Sequence, residues 1–137
     1  MNNYYLVIST LGLLFPLAIF VMNTHKNNYE KGLAFLLLIN LVISFLFWLN
    51  PIQNSWIHFY DGLFGKISYL LFSIYILFIK KLEQRLKLVF LFILVSSFYA
   101  FYCSNSKSSN SWCCEEHILY HSMFHILISL GTAFAFF

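Results

Sequence analysis

The chain has 137 residues, of which 61% are apolar, 21% aromatic and only 9% charged, with a formal net charge of +3. A water-soluble domain carries about 25% charged residues, so this composition excludes a soluble globule and a charge-rich disordered chain. The cations are scattered and form no basic stripe, which also excludes a nucleic-acid-binding face.

The length allows one domain, 1–137. Five segments approach the roughly 20 apolar residues that a helix needs to cross hydrocarbon: Tyr4–Met22, Gly32–Leu49, Gly62–Ile79, Leu86–Tyr102 and His117–Phe137. Their apolar runs are continuous, not alternating, and lipid does not tolerate open strand edges. The predicted fold class is therefore all-α, a polytopic transmembrane helical bundle with about five spans. Ahead of the first segment, Met1-Asn2-Asn3 has no positive charge, and no small-residue cleavage site follows Met22. This segment reads as a retained helix bent at Pro16, not as a signal peptide. The polar stretch from Ser104 to Ser111 is expected to be a loop. Trp48, Trp56 and Trp112 are expected in an interfacial aromatic belt.

Lys26, Lys31, Lys80, Lys81, Arg85 and Lys87 fall on one side of this arrangement, with only Lys66 and Lys107 opposite. The positive-inside rule puts the larger group in the cytosol. The N-terminus is then outside or lumenal, and the C-terminus is cytosolic.

Ionisable residues beside apolar spans are costly to bury and are functional candidates. His58 and Asp61 lie at the mouth of the third segment, and Glu115, Glu116, His117, His121 and His125 at the mouth of the fifth. Both groups are expected on the non-cytoplasmic side. His121 and His125 are four residues apart and stack on one helix face. Such a pair holds a metal ion through two imidazoles, with His58 as the best third ligand and a fourth position left open. Asp61 would orient a ligand or accept a proton. Three neutral imidazoles suit zinc best, with nickel, copper and iron also compatible. Without a metal, the pair reads as a hydrogen-bonding unit between helices. His117 then reads as a polar side chain at headgroup level and Lys66 as a snorkelling cation.

Cys103, Cys113 and Cys114 fall on the non-cytoplasmic side, where disulfides persist. A bridge from Cys103 to Cys113 or Cys114 would staple the loop before the last segment. The odd cysteine would stay free or link two chains into a homo-oligomer.

The stretch His121-Ser122-Met123-Phe124-His125, with Gly131 beyond it, resembles the last helix of the CREST superfamily of membrane metal hydrolases, which includes the alkaline ceramidases and the progestin and adiponectin receptors. The resemblance implies a helical bundle holding zinc by three histidines, and hydrolysis of a lipid amide or ester. Asp61 matches the aspartate that opens a span in that family, and His121 and His125 match its histidine pair. The family's Ser-x-x-x-His element falls on Ser44-Phe45-Leu46-Phe47-Trp48, with Trp in place of His. His58 is expected to stand in for the missing ligand. The family core has seven spans against the five counted here. The implied reaction has zinc on His58, His121 and His125, Asp61 as proton acceptor, Ser44 as donor to the developing oxyanion, and a membrane lipid as substrate. The alternative is a non-enzymatic structural protein, or a degenerate member that binds metal or lipid without turnover.

Overall fold

The computed structural model describes residues 2–137, so Met1 of the uncharged N-terminal tripeptide lies outside it. The described residues form helices and contain no strand. In chain order these are α1 (Tyr4–Thr10), α2 (Leu14–Met22), α3 (Asn28–Leu49), α4 (Trp56–Ile74), α5 (Gln84–Asn110) and α6 (Glu115–Ala133). A 3₁₀ turn at Leu11–Leu13 joins α1 to α2, and a π turn at Tyr75–Ile79 prolongs α4.

The break between α1 and α2 follows from Pro16. Proline has no N–H to offer the Gly12 carbonyl, and its ring crowds that carbonyl. The helix tightens to a 3₁₀ turn at Leu11–Leu13, just ahead of Pro16. Caps encoded in the sequence start three of the later helices. Asn27 and Glu30 form a capping box at α3, and Ser55 and Cys114 accept the His58 and His117 N–H groups at α4 and α6.

The split helix α1–α2 packs against both α3 and α6, while α4 lies on α3 and α5 on α6. The aliphatic and aromatic core runs from Leu13 through Leu33, Leu37 and Leu41 to Phe72, Ile76, Phe90 and Phe136. A second, smaller core gathers Leu6, Val7, Phe47, Trp48 and Ile118 at the end where α6 begins. Small residues let the helices approach: Gly131 faces Ile93 and Phe90 of α5, and Gly12 faces Ser129 of α6.

Four stretches are long and apolar enough to cross a membrane: Tyr4–Met22, Asn28–Leu49, Trp56–Ile79 and Gln84–Asn110. The fifth expected span, His117–Phe137, forms α6 but is not in that set. Glu115, Glu116 and three histidines in its first three turns lower its hydropathy. Two other expectations change. The Ser104–Ser111 stretch is not a loop, because α5 runs on to Asn110. There Ser108 and Ser109 donate back to the Asn105 and Ser106 carbonyls, and Lys107 pairs with Glu116. Of the three tryptophans only Trp56, 75% exposed, faces outward, whereas Trp48 is 1% exposed and sits in the smaller core.

At the opposite end of the bundle a polar clasp joins three helices. The Glu30 carboxylate accepts from Tyr75 Oη at 3.2 Å and from Lys80 Nζ at 2.9 Å. Lys80 also donates to the main-chain oxygens of Ala135 and Phe137, each at 2.8 Å.

Candidate functional site

The site is built where α1, α3 and α6 meet. His117, His121 and His125 recur at four-residue spacing and form a ladder along α6, with ring centroids 5.7 Å and then 4.7 Å apart. Trp48 of α3 lies beside all three rungs, at 6.0, 4.9 and 6.4 Å. Trp112 stacks near Trp48 at 6.1 Å and touches His117 at 5.0 Å.

Hydrogen bonds assign the protons on these rings. Ser9 Oγ and Thr10 Oγ1 both direct their own hydrogens to the Leu6 carbonyl. Thr10, bonded to that carbonyl at 2.7 Å, accepts from His125 Nδ1 at 3.3 Å, and Ser9 Oγ meets the same nitrogen at 2.8 Å, an arrangement that favours the Nδ1–H tautomer. Neutral His125 carries its proton on Nδ1 and its lone pair on Nε2, which is the form that ligates a metal through Nε2. His121 Nδ1 meets Ser104 Oγ of α5 at 2.8 Å, and that hydroxyl can serve either tautomer.

His117 and His58 are in the opposite state. His117 Nδ1 accepts the Cys113 N–H at 3.1 Å, and His58 Nδ1 accepts the Asn54 N–H at 3.0 Å. Both donors belong to residues of positive φ, 57° and 62°, just before the N-caps Cys114 and Ser55. The same turn thus opens α4 and α6, and its histidine closes it. A neutral ring used this way carries its proton on Nε2 and presents a donor there.

The expected site residues are therefore brought together only in part. His121 and His125 are adjacent. Ser44 Oγ donates to Asp61 Oδ1, joining α3 to α4 one helical turn along from Trp48. In this arrangement the Ser44 proton is given to Asp61. His58 stacks on Phe47 at 4.9 Å and touches Trp112 at 5.1 Å, whereas His121 is in ring contact with His117, Trp48, Phe124 and His125. Among the described residues no group of three His, Cys, Asp or Glu side chains is arranged to hold one metal ion. His121 and His125 fit such an ion as a pair. His58 Nδ1 is held by the Asn54 N–H, and its ring lies within electrostatic reach of His117 and His121 but not in ring contact with the pair. Cys103, Cys113 and Cys114 are free thiols, so the expected staple is not formed. Burial and the neighbouring Cys114 push the Cys113 thiol up from its ordinary range.

Sequence reasoning missed Ser9, Thr10 and Ser104. Serine and threonine usually bond back to their own helix, and only the tertiary packing puts these hydroxyls against the imidazoles. No family model matches the chain, and neither the curated proteins nor the solved structures give a match.

Proposed function

We propose that the chain is a multi-pass membrane protein of CREST type that hydrolyses a lipid amide or ester, with zinc held by His121 and His125. The observation that carries this reading is the pairing of adjacent imidazoles, one with its Nδ1 proton fixed by Ser9 and Thr10, together with the Ser44–Asp61 hydrogen bond between α3 and α4. That combination supports a metal-ligating Nε2 and a carboxylate held ready to take a proton. Zinc would supply Lewis acidity for attack of water on an acyl carbonyl. Ser44 orients Asp61, and substrate enters from the bilayer. In this reading α6 crosses with the four more apolar helices, its polar face turned to the bundle interior. The cation bias gives a non-cytoplasmic N-terminus and site.

Elemental analysis of the detergent-purified chain tests the proposal. About one equivalent of zinc is expected in the wild type, with loss in His121→Ala and in His125→Ala. Wild-type protein never exposed to chelator and without bound metal would remove the reading. Trp48 favours a second reading, because it fills the turn after Ser44 where the resemblance places a third imidazole. The chain would then bind metal or lipid without turnover. Stoichiometric zinc with no hydrolysis across a panel of ceramides and phospholipids would select that reading.

A further inference from the structure

Lys66 stands near the middle of the 24-residue stretch Trp56–Ile79, roughly 15 Å along the helix from Trp56 at 1.5 Å per residue. The Ser44–Asp61 and Asn40–Ser68 hydrogen bonds bracket it, so it lies level with the part of α3 between Asn40 and Ser44, well inside that helix. That depth exceeds what its four-carbon stem covers by snorkelling to a headgroup. An ammonium left bare in hydrocarbon is costly. Yet Lys66 is exposed, and among the described residues it joins no hydrogen bond or ion pair. Phe59, Leu63 and Leu70 are exposed in line with it, at the alternating four- and three-residue steps along which two helices pack. Gly62, one turn before Lys66, has nothing within 4 Å of where a Cβ would stand, so a neighbouring backbone fits closely there. The chain itself supplies no counter-charge. Glu30, Glu83 and Glu116 pair with Lys80, Arg85 and Lys107, Asp61 accepts from Ser44, and Glu115 opens α6. A second copy would bring the same five acids, none of them on an outward face at this depth.

We propose that the Phe59–Leu63–Lys66–Leu70 face of α4 docks a membrane-spanning helix of a different protein, whose Asp or Glu near mid-span forms an ion pair with Lys66. The assignment rests on the reading of α4 as a membrane span and is independent of zinc. The apolar neighbours supply packing, and the buried ion pair selects the partner.

The test uses the full chain in phosphatidylcholine vesicles, with its tryptophans as energy donors and a dansyl-labelled polyleucine helix of about 20 residues as acceptor. A peptide with one central Glu is expected to bind about tenfold more tightly than its all-leucine parent. Lys66→Leu should erase that advantage and Lys66→Arg should keep it, with Lys66→Gln in place of the leucine variant if that does not fold. Equal binding of the two peptides to the wild type, or an advantage that survives loss of the Lys66 charge, overturns the proposal. Loss of the advantage on adding phosphatidylglycerol also overturns it, by giving Lys66 to an acidic headgroup. Wild-type self-association that Lys66→Leu abolishes does the same, by giving the face to a second copy. A chain stripped from the vesicles by alkaline carbonate sinks the membrane reading itself, whereas one that stays embedded without preferring the glutamate peptide sinks only this assignment.

Discussion

A neutral imidazole has one N–H and one lone pair, so its first hydrogen bond decides what the other nitrogen can offer. The clustered histidines divide on this basis. His125 gives its proton to hydroxyls of α1, while His58 and His117 give their lone pairs to backbone amides. Replacing Ser9 and Thr10 together by alanine should weaken zinc binding about 10–100-fold, as loss of outer partners does at metal sites, measured by competition with a chromophoric chelator. His58→Ala should leave zinc content unchanged and lower thermal stability instead, because it undoes the turn that opens α4. The sequence displayed the histidine spacing and the Asp61 position plainly. It could not display the state of His125, because that depends on hydroxyls more than a hundred residues away in the chain. Cys113 gives a further check. Its thiol is pushed up, so the thiolate is scarce at neutral pH and increases only as pH rises through the raised value. Alkylation of Cys113 in a chain lacking the other two cysteines should keep accelerating beyond about pH 9, where an ordinary thiol levels off.

At the scale of elements, continuous apolar runs made the helices legible but put two starts at Gly32 and Gly62, whereas the caps Asn27 and Ser55 set them at Asn28 and Trp56. The extension of α5 to Asn110 was not legible, because its serines satisfy themselves by back-bonding and Ser104 finds His121 across the interface. The 3₁₀ turn ahead of Pro16 brings Gly12 so close to α6 that an added Cβ would lie 2.9 Å from Ser129 Oγ. That hydroxyl is itself bonded to the His125 carbonyl at 2.8 Å, so it cannot turn aside freely. Gly12→Val should therefore cost about 1–3 kcal/mol by overpacking. Adding Ser129→Ala should recover part of the loss, a coupling that a double-mutant cycle in thermal unfolding would read.

At the scale of the whole molecule, the imidazoles stand at one end of the bundle and the Glu30–Lys80 clasp at the other. Glu30 and Lys80 are fifty positions apart in sequence, and nothing local joins them. Their pairing closes α3, the end of α4 and the end of α6 on one another. Glu30→Gln should lower stability by about 1–3 kcal/mol, since Lys80 then loses its side-chain carboxylate partner, seen as a lower melting temperature in detergent. The position of α6 also bears on biosynthesis. It is the final helix in chain order and too polar along its first turns to rest alone among acyl tails, so in a bilayer it would depend on a slot already prepared by α1, α2 and α5. Translation stalled before that helix would leave an intermediate with its proton-holding hydroxyls in place and nothing yet to hold. The imidazole pair would come into being only when α6 itself docks against α1, α2 and α5, in one step.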